Sequence, residues 1–353
     1  MADRQISYVE ALREAQDYCL GADPNVYLMG LGVPDPKGIF GSTTGLQEKH
    51  GAARVMDMPL SENAMTGIAV GSALRGMRPI MTHQRIDFVM VAMEQIINQA
   101  AKWHFMFGGR ATVPLVIRMI IGRGWGQGPQ HSQSLQSVFA HFPGLKVVMP
   151  TTAYDAKGMM IAAVEDNNPV IFLEHRWLYG IKDNVPAEPY RVELGKSHTL
   201  RQGSDVTIVS SSYMTLEALR AADILAEQGI SADVIDLRTI SPLDRPAILA
   251  SVRKTGRLVV ADTGWKTFGC AGEIIALATE EAFSSLKAAP ARVCLPDSPT
   301  PTSPALADGY YPRAAHVVAA ALGQLGRVID PALFHLAPGV RLDVPDSSFK
   351  GPF

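Results

Sequence analysis

Residues 146–174 read KVVMPTTAYDAKGMMIAAVEDNNPVIFLE, a short apolar run, a helical pattern and a second apolar run. Both apolar runs have the length and composition of buried strands. Between them, Thr152 is placed to cap a helix over 153–165, with Asp155 three residues after the cap. Two strands joined by a helix predict a crossover unit, which makes the strands parallel in one sheet.

The same alternation continues on both sides of this unit. In the first half, candidate strands lie at 26–29, 54–56, 79–81, 113–121, 146–149 and 170–174. Candidate helices lie there at 8–20, 62–74, 88–107 and 153–165. In the second half, strands at 206–210, 232–237, 258–261 and 292–294 alternate with helices at 214–228, 244–252, 272–283 and 313–325. The pattern predicts the α/β class, with two doubly wound and mostly parallel sheets.

The segment 179–203 separates the two sets and is interpreted as a linker, because it is polar and contains prolines. A chain of 353 residues fits about two domains. We expect one domain over 1–190 and a second over 191–327. The tail, 328–353, has four prolines and no clear period, and the sequence assigns it no role.

Composition excludes several classes of protein. The chain has 32 Lys and Arg against 34 Asp and Glu, a net charge of −2, which argues against coating nucleic acid or an anionic membrane. A hydrophobic fraction of 47% with 19% charged residues excludes a disordered chain. Three cysteines without a CxxC pair, no leader pattern and no apolar run of 18 residues predict a cytoplasmic protein without a membrane span.

Several well-known site motifs are missing from the sequence. Residues 122–128 read GRGWGQG after a strong strand, but the spacing of a dinucleotide-binding GxGxxG loop fails in every register. The sequence has no Walker A loop, HExxH motif or GxSxG elbow, and its nine histidines show no metal-ligand spacing. A GDG-type motif for a metal and a diphosphate is also missing.

Two residues are candidates for chemistry by their position. Glu62 stands where a strand ends and an Ala- and Gly-rich helix begins, and ligand sites in open parallel sheets cluster at such strand ends. The alternative is a glutamate that only favours a helix N-terminus, with Ser61 as the cap. His131 follows the glycine-rich loop, where it can act as acid, base or hydrogen-bond donor. Its alternative is a loop histidine bonded to the backbone.

A third candidate is the polar group His83, Gln84 and Arg85, which follows the strand at 79–81. These side chains can line a pocket at the strand end. The alternative is a solvated face on which Arg85 pairs with Asp87.

Short motifs occur in a fixed order along residues 6–325. They are SE at 61–62, GIAVG at 67–71, EQIIN at 94–98, QHSQ at 130–133, FPGLKVV at 142–148, DNNP at 166–169, VIDLRTI at 234–240 and TGRL at 255–258. With these motifs the chain resembles the beta subunit of the thiamine-diphosphate-dependent 2-oxo acid dehydrogenases, in the transketolase-like superfamily. The members it resembles are the pyruvate and branched-chain decarboxylating components.

The resemblance implies a pyrimidine-binding domain followed by a transketolase C-terminal domain. It also implies an oxidative decarboxylation of a 2-oxo acid, with acyl transfer to a lipoyl group or another acceptor. Two alpha and two beta chains are implied to form a heterotetramer, which in some cases binds a lipoyl acyltransferase core. In this family the alpha chain carries the metal–diphosphate motif and holds most of the Mg²⁺ site, which agrees with the missing motif here.

The resemblance also implies roles for individual residues. Glu62 matches the glutamate that hydrogen-bonds the aminopyrimidine ring of the cofactor and promotes formation of its ylide. Phe88 matches the aromatic residue that packs on the pyrimidine, and His131 matches a histidine that orients substrate or assists transfer to the lipoyl group. A potassium site is implied by a further match, at Leu115, Ala163, Asp166 and Asn168.

Three departures from the family pattern bear on the substrate. An acidic stretch after the first strand is replaced by GLGV at 30–33, and a His-Glu pair in the second domain is replaced by Asp262 and Thr263. His83, Gln84 and Arg85 replace a largely apolar stretch near the cofactor, and His83 and Arg85 can bind a phosphate, a carboxylate or a sugar hydroxyl. Two alternatives therefore stay open, a split transketolase-like carbon–carbon transferase and a non-catalytic assembly subunit.

The apolar residues of the helix expected at 88–107 lie on more than one face. Such a helix is buried either between subunits or inside its own domain.

Overall fold

The structure, a computed structural model, describes residues 4–335 apart from 125 and 308, together with 340–346 and 349. The chain forms two compact units. The described part of the first contains residues 4–121 and Val138–Leu194, and that of the second contains Gly122–Ser137 and residues 195–349 except those outside the description.

The first unit alternates strands and helices. Its first half contains β1 (Gln5–Ser7), α1 (Tyr8–Ala22), β2 (Val26–Gly30), α2 (Gly38–Gly41), α3 (Leu46–His50), β3 (Val55–Met56), α4 (Glu62–Leu74) and β4 (Arg78–His83). Then come α5 (Ile86–Val89), a 3₁₀ turn (Met90–Ala92), a π turn (Gln95–Ala100), α6 (Trp103–Met106) and β5 (Val116–Ile121). After α7 (Gln136–Ala140) follow β6 (Lys146–Val148), α8 (Ala153–Glu165), β7 (Val170–His175), a 3₁₀ turn (Arg176–Leu178) and β8 (Lys182–Asn184).

Six strands of this unit form a parallel sheet in the order β6-β7-β5-β4-β2-β3, and β1 pairs with β8 in an antiparallel ribbon. Every residue of β5 and β7 is buried, as expected for central strands covered on both faces. The crossover unit predicted over 146–174 is confirmed as β6, α8 and β7. The Thr152 side chain accepts a hydrogen bond from the Asp155 amide at 2.9 Å, which confirms the predicted cap.

The described residues of the second unit form six further strands. Its elements are β9 (His198–Arg201), β10 (Val206–Ser210), α9 (Tyr213–Glu227), β11 (Ala232–Asp236), β12 (Thr239–Ser241), α10 (Arg245–Thr255), β13 (Leu258–Trp265), α11 (Cys270–Ala282), a 3₁₀ turn (Phe283–Ser285), β14 (Ala291–Leu295), α12 (Pro304–Ala307), α13 (Ala314–Gln324) and a 3₁₀ turn (Pro331–Phe334). The strands of its sheet follow the order β14-β13-β10-β11-β9, parallel except for β9. Two mostly parallel sheets with helical crossovers confirm the predicted fold class.

Two predictions of local structure are wrong. The continuous helix expected at 88–107 is broken into α5, a 3₁₀ turn, a π turn and α6. A π turn adds a residue to the helical repeat, so the apolar positions cannot stay on one straight face. The linker expected at 179–203 contains two short strands, β8 and β9. Both are polar, partly exposed edge strands, which lack the apolar signal of a central strand.

Among the residues that the structure describes, no helix is both long enough and apolar enough to cross a membrane.

Candidate active site

The central strands of the first unit end at one edge of the sheet, since β2, β4, β5 and β7 are parallel and adjacent. Glu62 begins α4, directly after β3, and its side chain is half-buried. Ser61 makes no side-chain capping bond, which argues against a purely structural start of this helix. Within the described residues, the Glu62 carboxylate forms no hydrogen bond or ion pair.

Helix α4 runs along β4 and packs against α5 and the turn that follows it. One turn after Glu62, the Thr66 hydroxyl donates a hydrogen bond to the Met81 sulfur at 3.4 Å. Since Met81 precedes the end of β4 by two residues, the first turn of α4 lies towards the carboxyl end of that strand. Phe88, in α5, is 36% exposed. The fold therefore places a carboxylate and an aromatic face on adjoining helices at this edge.

His83, Gln84 and Arg85 leave the end of β4 in different surroundings. His83 is buried, its Nε2 has no hydrogen-bond partner among the described residues, and burial lowers its pKa to about 4. The Gln84 amide donates to the Leu31 carbonyl at 3.1 Å, which ties it to the GLGV stretch after β2. Arg85 is 2% exposed, so the solvated face considered as an alternative is wrong.

Sequence reasoning missed two residues at this edge, Phe40 and Arg176. The Arg85 guanidinium lies 5.7 Å and the Arg176 guanidinium 4.8 Å from the centre of the Phe40 ring. Both contacts are of cation–π type, and they bring two positive charges against one aromatic side chain. Arg176 directly follows β7, so the strand-end rule applied to Glu62 would also have found it.

His131 belongs to the second unit, on the segment Gly122–Ser137. The Gly122 amide donates to the Gln133 carbonyl at 3.3 Å, and the His131 amide donates to the Gly128 carbonyl at 3.2 Å. This segment, which we call the histidine loop, is thus closed at its base. The His131 ring is partly exposed.

Asp262, one of the residues that depart from the family pattern, fixes the end of the histidine loop. The Gln136 side-chain amide donates to Asp262 at 2.7 Å, and both residues are buried. Burial raises the pKa of Asp262, although the hydrogen bond from Gln136 acts in the opposite direction. Asp262 therefore anchors the loop to β13.

The potassium site that the resemblance implies consists of four residues. They lie before β5 and around the turn from α8 to β7: Leu115, Ala163, Asp166 and Asn168. Asp166 accepts hydrogen bonds from the Asn168 amide at 2.9 Å and from Lys146, and Arg78 donates to the Asp166 carbonyl at 3.1 Å. Burial alone raises the pKa of Asp166, but the bonds from Lys146 and Asn168 outweigh it and lower the pKa. In the described part of the chain, no three His, Cys, Asp or Glu side chains cluster as a metal site.

Two mostly parallel sheets with helical crossovers, the first followed at its edge by the packed helices α4 and α5, agree with a transketolase-type fold. Residues 4–182 match the family model of the transketolase pyrimidine-binding domain, and residues 195–317 match that of the transketolase C-terminal domain. The chain belongs to the family of beta subunits of thiamine-diphosphate-dependent 2-oxo acid dehydrogenases.

Similar proteins span nearly the whole chain. The acetoin:2,6-dichlorophenolindophenol oxidoreductase subunit beta of Cupriavidus necator is 46% identical, over 90% of this chain and 97% of that protein. The pyruvate dehydrogenase E1 component subunit beta of Bacillus subtilis is 43% identical, over 85% of this chain and 93% of that protein. A solved structure of a split-gene transketolase, an inactive beta4 tetramer, superposes with a TM-score of 0.76 at 25% identity, over 91% of this chain and 99% of that one.

Proposed function

We propose that this chain is the beta subunit of a two-chain enzyme that decarboxylates a 2-oxo acid and passes the acyl group to a lipoyl group or another acceptor. The observation that carries the proposal is the Glu62 carboxylate, which is half-buried at the start of α4, next to the helix of Phe88, and forms no hydrogen bond within the described chain. Such a carboxylate is placed to bind a ring nitrogen of a ligand held against an aromatic side chain.

These residues fit the pyrimidine half of thiamine diphosphate. When bound, that cofactor supplies a carbon nucleophile and an electron sink for decarboxylation. Glu62 would hold a proton at the pyrimidine nitrogen, and Phe88 would pack against the ring. The chain offers no GDG-type motif for the diphosphate, so we assign the Mg²⁺ and most of the diphosphate contacts to an alpha subunit.

His131 and the edge of β4 are the proposed substrate-facing residues. His131, on a closed and anchored loop, would orient the substrate or move a proton during acyl transfer. His83 and Arg85 would contact the part of the substrate away from the 2-oxo group. The guanidinium groups of Arg85 and Arg176 both contact the Phe40 ring. We therefore expect the part of the site at the end of β4 to favour an anionic or polyhydroxylated substrate.

An alpha subunit is the proposed partner, in an assembly of two alpha and two beta chains. Large apolar side chains are exposed between residues 60 and 107, from just before α4 to just after α6, which supports burial of this surface between subunits. They are Leu60, Ile68, Val91, Phe105, Met106 and Phe107. A lipoyl acyltransferase core is the proposed acceptor complex.

Three further assignments also remain proposals. The carbonyls of Leu115 and Ala163 each accept one hydrogen bond and keep a second lone pair, so they can join Asp166 and Asn168 around a potassium ion. We propose that the first domain ends at residue 190 and the second at residue 327. Three free cysteines support a reducing compartment such as the cytoplasm.

The test is an assay of the chain co-expressed with a candidate alpha subunit. We expect release of carbon dioxide from a 2-oxo acid, coupled to reduction of 2,6-dichlorophenolindophenol. A ketol product from a sugar phosphate and an aldehyde, without dye reduction, would favour the split transketolase instead. Cofactor binding without turnover of any 2-oxo acid or ketose would favour an assembly subunit.

A further inference from the structure

We infer that residues 341–344, which we call the C-terminal clamp, hold the histidine loop in place, and that Asp343 is the positioning residue and acts through Arg123. The clamp lies beyond the match to the C-terminal domain, which ends at residue 317. The inference rests on the proposed role of His131 only for its effect on catalysis; the mechanical link does not depend on it.

Arg123 lies at the base of the histidine loop and is completely buried. Its guanidinium donates hydrogen bonds to the carbonyls of Pro301 and Thr302, the latter at 2.8 Å. It also forms an ion pair with Asp343 at 3.2 Å. In this surrounding, Asp343 supplies the carboxylate that compensates the buried charge of Arg123.

The clamp is itself fixed to the body of the second unit. The Asp343 side chain is 1% exposed and is also bound by Arg341 at 2.6 Å. Arg313, at the start of α13, donates to the carbonyls of Leu342, at 2.7 Å, and Val344. The two carbonyls that flank Asp343 are therefore bonded to Arg313, so the clamp is attached to α13 independently of Arg123.

Arg313 in turn is anchored in the core. It donates to the Tyr213 hydroxyl at 2.7 Å and to the Glu217 carboxylate at 3.1 Å, both on α9. A continuous series of buried polar contacts thus runs from α9 through the clamp to the base of the histidine loop.

Two further contacts that attach described residues of the loop do not replace Asp343. At Gly128 a Cβ atom would lie 2.1 Å from the Thr302 hydroxyl, so the backbone packs closely there without a charge. At the far end, Gln136 bonds Asp262. If Asp343 is removed, Arg123 keeps its two carbonyls but stays buried without its carboxylate, which favours release of the loop at that end.

The experiment compares Asp343→Ala with the wild-type full chain in complex with its alpha subunit. Hydrogen exchange is followed by mass spectrometry in peptides from 122–137 and from β10, a buried strand of the same unit. We expect exchange in the loop peptides to become at least about tenfold faster, while exchange in β10 changes less than about twofold. Asp343→Asn, which keeps the volume and one acceptor, should give an intermediate loop rate.

Asp330→Ala is the matched control, because Asp330 lies in the same tail, is exposed and only caps the turn Pro331–Phe334. It should leave the loop peptides at the wild-type rate. Unchanged loop exchange in Asp343→Ala would overturn the inference, and so would equal acceleration in the loop and in β10, because that result means general loss of stability.

Turnover separates this inference from the proposed function. With an active complex, Asp343→Ala should lower kcat at least about fivefold and leave the KM for thiamine diphosphate unchanged. A released loop with wild-type kcat would overturn the positioning role. If the wild-type complex decarboxylates no 2-oxo acid, the proposed function fails, whereas the exchange result still decides the link between the clamp and the loop.

Discussion

Arg118, on β5, and Glu174, on β7, form a fully buried ion pair in the sheet of the first unit. The Arg118 Nε donates to Glu174 at 2.6 Å, and a second bond from the same guanidinium measures 2.8 Å. Arg118 also donates to the Ser42 hydroxyl at 3.0 Å, just after α2, and Tyr179 donates to Glu174 at 2.6 Å. The pair therefore joins two central strands to the segment that carries Phe40.

Removing the charge of Glu174 should strongly destabilise the chain. Glu174→Gln leaves a buried guanidinium without its carboxylate, so we expect a loss of about 3–5 kcal/mol in the free energy of unfolding. Urea denaturation followed by circular dichroism measures it. The control is Glu165→Gln, which breaks a half-exposed pair with Arg191 and should cost less than about 1 kcal/mol. If the two substitutions lowered the free energy of unfolding equally, the larger contribution that we assign to the buried pair would be contradicted.

The local sequence pattern correctly predicted the helices α4 and α8, which contain candidate site residues. The bounds expected for α4 and α8 agree with the structure, because both follow a strand end and show a clear helical pattern up to a change in composition. Glu62 was found for the same reason, since its position at a strand end is a local feature of the sequence.

Contacts between segments that are distant in the sequence could not be predicted in this way. Arg176 and Phe40 meet only because β7 and the segment after β2 reach the same edge of the sheet, which depends on strand order. The bond from Gln136 to Asp262 and the clamp on Arg123 join parts of the chain that no periodicity relates. The turns between α5 and α6 escaped prediction because a π turn leaves the apolar composition unchanged.

Two helical glycines should respond in opposite directions to the same substitution. At Gly158, in α8, a Cβ atom would lie 2.6 Å from Val192 and 2.8 Å from Tyr190, so Gly158→Ala should destabilise by about 1–3 kcal/mol. At Gly71, in α4, no described atom lies within 4 Å of the added carbon. Gly71→Ala should stabilise the isolated chain by about 0.5–1 kcal/mol, because alanine favours the helix. Thermal unfolding of both variants measures the two changes in stability. If both changes had the same sign, the prediction would be refuted.

Burial of His83 should make the stability of the chain depend on pH. Its folded pKa, about 4, lies below the ordinary value of 6.5, so the unfolded chain binds a proton first as the pH falls. Stability is therefore lost between about pH 6.5 and pH 4, with about 2 kcal/mol lost by pH 5. His83→Leu should remove this part of the difference between pH 8 and pH 5, as measured by urea denaturation. His198→Leu, at an exposed position on β9, is the control and should retain the wild-type difference.

Glu62→Gln tests the residue on which the proposed function depends. The amide keeps the size of the side chain but cannot hold a proton as a carboxyl group does, so turnover of the 2-oxo acid should fall at least about 100-fold. Exchange of the thiazolium C2 proton of the bound cofactor, followed by NMR, should slow by a similar factor, whereas thermal unfolding should stay within about 2 °C of the wild type.

Glu48→Gln is the matched control for this substitution. Glu48 also lies in the first turn of a helix of the first unit, α3, but it is exposed. It should leave both turnover and C2 exchange at wild-type rates. If Glu62→Gln exchanged the C2 proton as fast as Glu48→Gln, the half-buried carboxylate at the start of α4 would be a feature of the helix terminus alone, and the proton-holding group would have to come from the partner chain.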